Sequence, residues 1–193
     1  ILIFFILFSV PDVVAEEKPA KQPPQWKAGV ASVAITPEQE IWMAGYGGRK
    51  KPSDGVVQDL YAKALALDDQ SGARFVIVTM DLIGVLRGVR DSVARKVEEK
   101  FKLPPAHLLL NASHTHCGPE YRPRKGREKE AHDYRAKLEK SLVEVVGESL
   151  EKLQAAGVSY ARARCGFAMN RRKNFSLPSD DPLAKRAPTF DGP

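Results

Sequence analysis

The sequence predicts an α/β protein, a layered α/β sandwich with a mixed sheet. Three observations carry that expectation. Strand-like and helix-like stretches alternate along the chain. Two strand-like runs flank the short polar turn Asp69-Gln70-Ser71-Gly72-Ala73, as in a hairpin. A short apolar run, Leu108-Leu109-Leu110, follows an amphipathic helix and has the character of a buried strand. At 193 residues and 43% apolar composition the chain can hold one core of ordinary size. Its mean hydropathy of -0.32 is that of a soluble protein.

Taken in order, residues 1–10 (ILIFFILFSV) form an apolar run too short to span a bilayer. Val13-Val14-Ala15 then precedes Glu16. This is the h-region and small-residue cleavage site of a secretory signal peptide, preferred over an N-terminal core element. Residues 1–15 are therefore expected to be a signal peptide incomplete at its start, cleaved near Ala15. The mature protein would be secreted or periplasmic, with no transmembrane helix. Residues 16–25 (EEKPAKQPPQ) are a Pro-rich linker, and 26–193 form the folded body. From Trp26 to Ile35 the pattern is a strand, with Val33 and Ile35 on one face, closed by Thr36-Pro37. Met43-Ala44-Gly45-Tyr46-Gly47-Gly48-Arg49 is a Gly-rich loop able to bring backbone close to a ligand; it lacks the spacing of a phosphate loop. Asp59–Asp68 and Phe75–Met80 make the hairpin. Asp81, at the end of the second run, has two even readings: a metal-shell or substrate contact, and a helix cap.

Arg87–Phe101 carries Val89, Val93, Val97 and Phe101 at helical spacing, and Leu103-Pro104-Pro105 stops it. A long amphipathic helix is expected from about Glu128 to Ala156, with Tyr134, Leu138, Leu142, Val145, Val146, Leu150 and Leu153 along one stripe. Gly157 stands at its C′ position, and His132, near its start, reads as a surface histidine. Val158–Ala168 reads as a strand. The chain then runs out in a polar, Pro-rich stretch with no closing element, so the fold is expected to be truncated at its C-terminus.

The net charge of +6 is spread out, with much of it from 122–129 and 162–173. Neither region interleaves aromatics, and export argues against nucleic acid as a partner, so solvated basic loops are expected. Cys117 and Cys165 are too few for a disulfide framework. Whether they pair is open.

The chemistry converges on His114-Thr115-His116. On an extended backbone, alternate side chains point to one side, so the pair would leave the end of the Leu108 strand together, where α/β proteins place sites. Neutral imidazole is a good zinc ligand. Catalytic zinc takes about three protein ligands and lowers the pKa of its water to about 7. Cys117 reads as a small packed residue in preference to a thiolate ligand. His107 reads as structural.

With its flanks, this segment resembles a family signature. Asn111-Ala112-Ser113-His114-Thr115-His116-Cys117-Gly118-Pro119 is similar to the HTHSGP motif of the neutral/alkaline non-lysosomal ceramidases, with Cys117 where the family usually has Ser. Ile35-Thr36-Pro37, Met43-Ala44-Gly45-Tyr46, Asp81 and Asn170-Arg171-Arg172 follow the family pattern in the same order, so the resemblance spans roughly Ala28 to Arg172. It implies a Zn2+-dependent amidase that cleaves the N-acyl bond of ceramide, or of a related N-acyl lipid, to sphingosine and fatty acid. His114 would be the zinc ligand, while His116 would stabilise the oxyanion and Arg171 would line the active site. The partner implied is a ceramide-like lipid, with peripheral contact at a membrane surface admitted. The family's other ligands and its catalytic Ser have no counterpart in these residues. The resemblance therefore implies an N-terminal portion, inactive by itself. The alternatives are a different metal-dependent amidohydrolase, which would need more histidines after His132 than the chain has, and an exported non-catalytic binding module.

Overall fold

The computed structural model describes residues 26–164. Five strands and two helices follow in the order β1 (Trp26–Ala34), β2 (Tyr61–Asp68), β3 (Arg74–Met80), α1 (Arg87–Phe101), β4 (Leu108–Ala112), α2 (Glu128–Glu151) and β5 (Gln154–Ala156). A 3-10 turn at Pro105–His107 leads into β4. The chain divides into a unit ending at Val158 and a second beginning at Ser159. Of the second, 159–164 are described and carry no regular element.

The strands lie in the order β4-β3-β2-β1-β5. β1, β2 and β3 form an antiparallel meander, with β5 antiparallel on the far side of β1. β4 is parallel to β3, which requires the crossover that α1 provides. The sheet is therefore mixed, as expected, and the class is α/β.

The alternation read in β2 decides which face the helices cover. Ala62, Ala64 and Ala66 are fully or nearly fully buried, as are Val76, Val78 and Met80 beside them. Small residues here let α2 lie close, and it packs on β1 and β2 with α1 against it. The closest approach is at Gly29, where a Cβ would fall 2.1 Å from the Ser149 carbonyl oxygen and 2.9 Å from the Leu153 nitrogen. Both obstacles are backbone and cannot rotate away. Gly29→Val is expected to cost about 3 kcal/mol or more, read as a lowered urea midpoint. Val89, Val93 and Val97 of α1 and Leu138, Leu142, Val145 and Val146 of α2 complete the core. On the opposite face Val30, Leu65, Ile77 and Leu109 stand in register across four strands. Val30 is 65% exposed and Leu109 48%.

Several expectations are corrected. The Leu108 strand lies at the sheet edge, so only Leu108 of its three leucines is buried. The long helix stops at Glu151, not Ala156, and Gly157 is not its C′ residue; Lys152 caps it through its N–H to the Glu148 carbonyl. The last residues of the expected helix instead become β5 and cover the open edge of β1, pairing Ala156 with Trp26 and Gln154 with Ala28. The described part of the strand expected at 158–168 is irregular and exposed. The signal peptide and linker assigned to 1–25 lie outside the described residues, as do Cys165, Asn170 and Arg171.

Candidate functional site

The two histidines leave the sheet just past β4, as expected, but not on an extended backbone. β4 ends at Ala112, whose successor Ser113 donates its N–H to the Met80 carbonyl. His114 then turns into the left-handed region at φ 61, a conformation worth on the order of 1 kcal/mol of strain in a non-glycine residue. The turn, not strand alternation, brings the two rings together, with centroids 5.2 Å apart.

Each ring is held by a different distant segment. Nδ1 of His114 lies 2.7 Å from the carbonyl oxygen of Ile83. A carbonyl only accepts, so Nδ1 is the donor, as in the tautomer whose lone pair is on Nε2. His116 is clamped by the Gly-rich loop. Its carbonyl accepts from Nη2 of Arg49 at 2.7 Å, and its ring meets the Tyr46 ring edge-on at 4.9 Å. Gly45, at φ 73, lies flat against it, so that a Cβ there would come 2.3 Å from Cγ of His116. Gly45→Ala is therefore expected to displace the His116 ring while leaving the core intact. The measurement is the ring resonances of His116 by NMR beside the melting temperature, with a large change in the first and a few degrees in the second.

The loop that bears Gly45 is itself pinned to the segment after the histidines. Met43 bridges Pro119, the Ala44 N–H donates to the Gly118 carbonyl, and the Glu120 N–H to the Trp42 carbonyl. Tyr121, fully buried, donates its hydroxyl to the Gly84 carbonyl, close to Ile83. One framework thus fixes both histidines.

Thr115 and Cys117 line a cavity of about 740 Å³ that His114 and His116 do not touch, with Ile41, Met43, Val56 and Val57 among its walls. Cys117 is exposed, with its N–H on the Thr115 hydroxyl. This corrects the expectation of a small packed residue. Asp81 also lines the cavity, and it is not a helix cap. Its Oδ2 accepts the Tyr61 N–H at 3.0 Å, and its own N–H donates to the Tyr61 carbonyl, tying the end of β3 to the start of β2. The cap position of α1 is Leu86, with no side-chain bond. His107 ends the 3-10 turn, and His132 is exposed on α2 beside Asp133, as expected.

The basic segment after the motif is not simply solvated. Glu120 is 8% exposed and takes Nε of Arg122 at 2.6 Å and Nη2 of Arg124 at 2.9 Å. Arg127 lies flat on Trp42, 3.3 Å from the ring centroid. Burial would raise the Glu120 carboxyl, but the Arg122 and Arg124 hydrogen bonds outweigh it and hold the pKa at about 2. The folded pKa lies below the ordinary 4.5. The stabilisation is therefore complete above that value and is lost as pH falls towards 2. Acid unfolding of Glu120→Gln is expected to lose part of this steepness, read by circular dichroism between those limits.

Among the described residues, no group of three or more His, Cys, Asp or Glu side chains could hold a metal ion. His114 fits as one ligand, because its Nδ1–H is anchored on a carbonyl and its Nε2 is left to bind.

Comparisons with known proteins bear on this site. The family model for neutral/alkaline non-lysosomal ceramidase, N-terminal, matches residues 26–152. The neutral ceramidase of Pseudomonas aeruginosa aligns at 23% identity and a TM-score of 0.59. A ceramidase complexed with C2 aligns at 22% and 0.56. Each alignment covers 69% of this chain and 22% of the other. At that identity the likeness shows the fold, and the chain spans about a fifth of the length of those structures.

Proposed function

The chain belongs to the neutral/alkaline non-lysosomal ceramidase family, and from that premise we propose that it carries the histidine pair of a Zn2+-dependent amidase acting on ceramide or a related N-acyl lipid. The observation that carries this reading is the pair itself. His114 is held through Nδ1 on the Ile83 carbonyl with Nε2 available, and His116 is positioned beside it by Gly45 and Tyr46.

In this reading His114 is a zinc ligand, and the remaining ligands come from outside the described residues. Bound zinc would supply Lewis acidity toward the amide carbonyl. The Ile83 carbonyl orients the His114 ring and raises its basicity as a ligand. His116 donates a hydrogen bond to the oxygen that becomes negative as the amide is attacked, an interaction strongest in the transition state. Tyr46 and Gly45 keep that ring from turning. Arg171, assigned to the active site by the family pattern, would contribute a second donor. The cavity along Thr115 and Cys117, with its apolar valines, suits an acyl or sphingoid chain. Signal-directed export and peripheral contact with a lipid surface belong to the same proposal.

The test is fatty-acid release from a fluorescent N-acyl sphingosine by the protein expressed from its complete gene. Hydrolysis abolished by a chelator and restored by zinc is expected. Failure to cleave any N-acyl sphingoid, with zinc present, would refute the proposal.

A further inference from the structure

Between the Gly-rich loop and the basic segment after the histidines lies a cavity of about 440 Å³. Arg49, Arg122, Arg124, Lys125 and Arg127 line it, against the single carboxylate of Glu120. Glu120 cannot satisfy them. It takes donors from Arg122 and Arg124 only, and each guanidinium has five N–H groups. Lys125 forms no ion pair among the described residues. Arg127, whose guanidinium carbon lies 3.3 Å from the Trp42 ring centroid, lines the cavity together with that ring. Independently of this charge, Nε of Arg49 is buried without a hydrogen-bond partner, although the same guanidinium reaches the His116 carbonyl and the Met43 sulfur. A buried donor left unpaired costs roughly 1–3 kcal/mol.

We propose that this cavity is a binding site for a phosphate group. Planar guanidinium forks match phosphate oxygens in pairs. Glu120 acts here as a strut. It is buried and shared, so it fixes Arg122 and Arg124 in place without cancelling the surplus charge. The site is separate from amide hydrolysis but joined to it through Arg49, which bonds the His116 carbonyl.

A free phosphate and the headgroup of an anionic phospholipid present the same chemistry, and two arms distinguish them. Inorganic phosphate binding is measured by calorimetry at low salt. Sedimentation is measured with phosphatidylcholine vesicles, with and without phosphatidylglycerol. The unaltered protein is compared with Arg124→Ala/Lys125→Ala, whose side chains are exposed, and with Lys63→Ala/Lys100→Ala, which removes the same charge from other exposed positions. Circular dichroism confirms that all three fold. Saturable binding in at least one arm is expected, weakened about tenfold or more in the cavity variant, unchanged in the control, and diminished by salt. Response to phosphate alone identifies a soluble ligand; response to phosphatidylglycerol vesicles alone identifies a headgroup. Binding in neither arm, or equal weakening in the control, overturns the proposal.

Discussion

His114→Ala is expected to lower N-acyl sphingosine hydrolysis by about 10³-fold or more in the protein made from its complete gene, and to leave the fold untouched. The imidazole is exposed, so its loss opens no cavity in the core. Among the described residues its one bond is to the Ile83 carbonyl, which water can satisfy after the change. On the proposed reading what is lost is chemical: a metal position without one of its ligands would bind weakly, and with it would go the Lewis acid toward the carbonyl. The discriminating readout is the ratio of activity loss to melting-temperature change. A melting temperature within a few degrees of the parent, beside near-complete loss of turnover, is the expected pair of results. Turnover within tenfold of the parent would contradict the role assigned to His114.

His116→Ala is expected to act differently, lowering kcat about 10²–10³-fold with KM changed little. A donor that meets the oxygen only as it becomes charged stabilises the transition state and not the bound substrate. The contacts to His116 fix its orientation: Gly45 against the ring, Tyr46 edge-on, Arg49 on its carbonyl. His116→Gln, which keeps a donor, should recover part of the loss. A structural histidine would show no such rescue, and its removal would instead lower the melting temperature.

Much of the scaffold was legible because it rests on local periodicity. The helical spacing of Val89, Val93 and Val97 located α1, and the alternation through Ala62, Ala64 and Ala66 against Leu65 and Leu67 located a strand with two different faces. The end of α2 was not legible. Leu150 and Leu153 continue the apolar stripe, so only the bare edge of β1, more than a hundred residues earlier in the chain, explains why the chain leaves the helix to pair there. For the site, the motif marked both histidines, but not how they meet. The left-handed turn at His114, the Ile83 carbonyl and the fit of Gly45 against His116 all depend on segments brought together by folding. The Glu120 cluster was concealed for a similar reason. Basic residues in a loop look solvated until a buried carboxylate is seen to gather them.

The central claim is that the two histidines have unequal roles, one on the metal and one on the substrate. The most direct test is the zinc content, by mass spectrometry, of the protein from its complete gene and of its His114→Ala and His116→Ala variants, each purified in the same zinc-buffered medium. Near-stoichiometric zinc in the parent and in His116→Ala, with zinc lost from His114→Ala, is the predicted result. Equal zinc in all three proteins would contradict it.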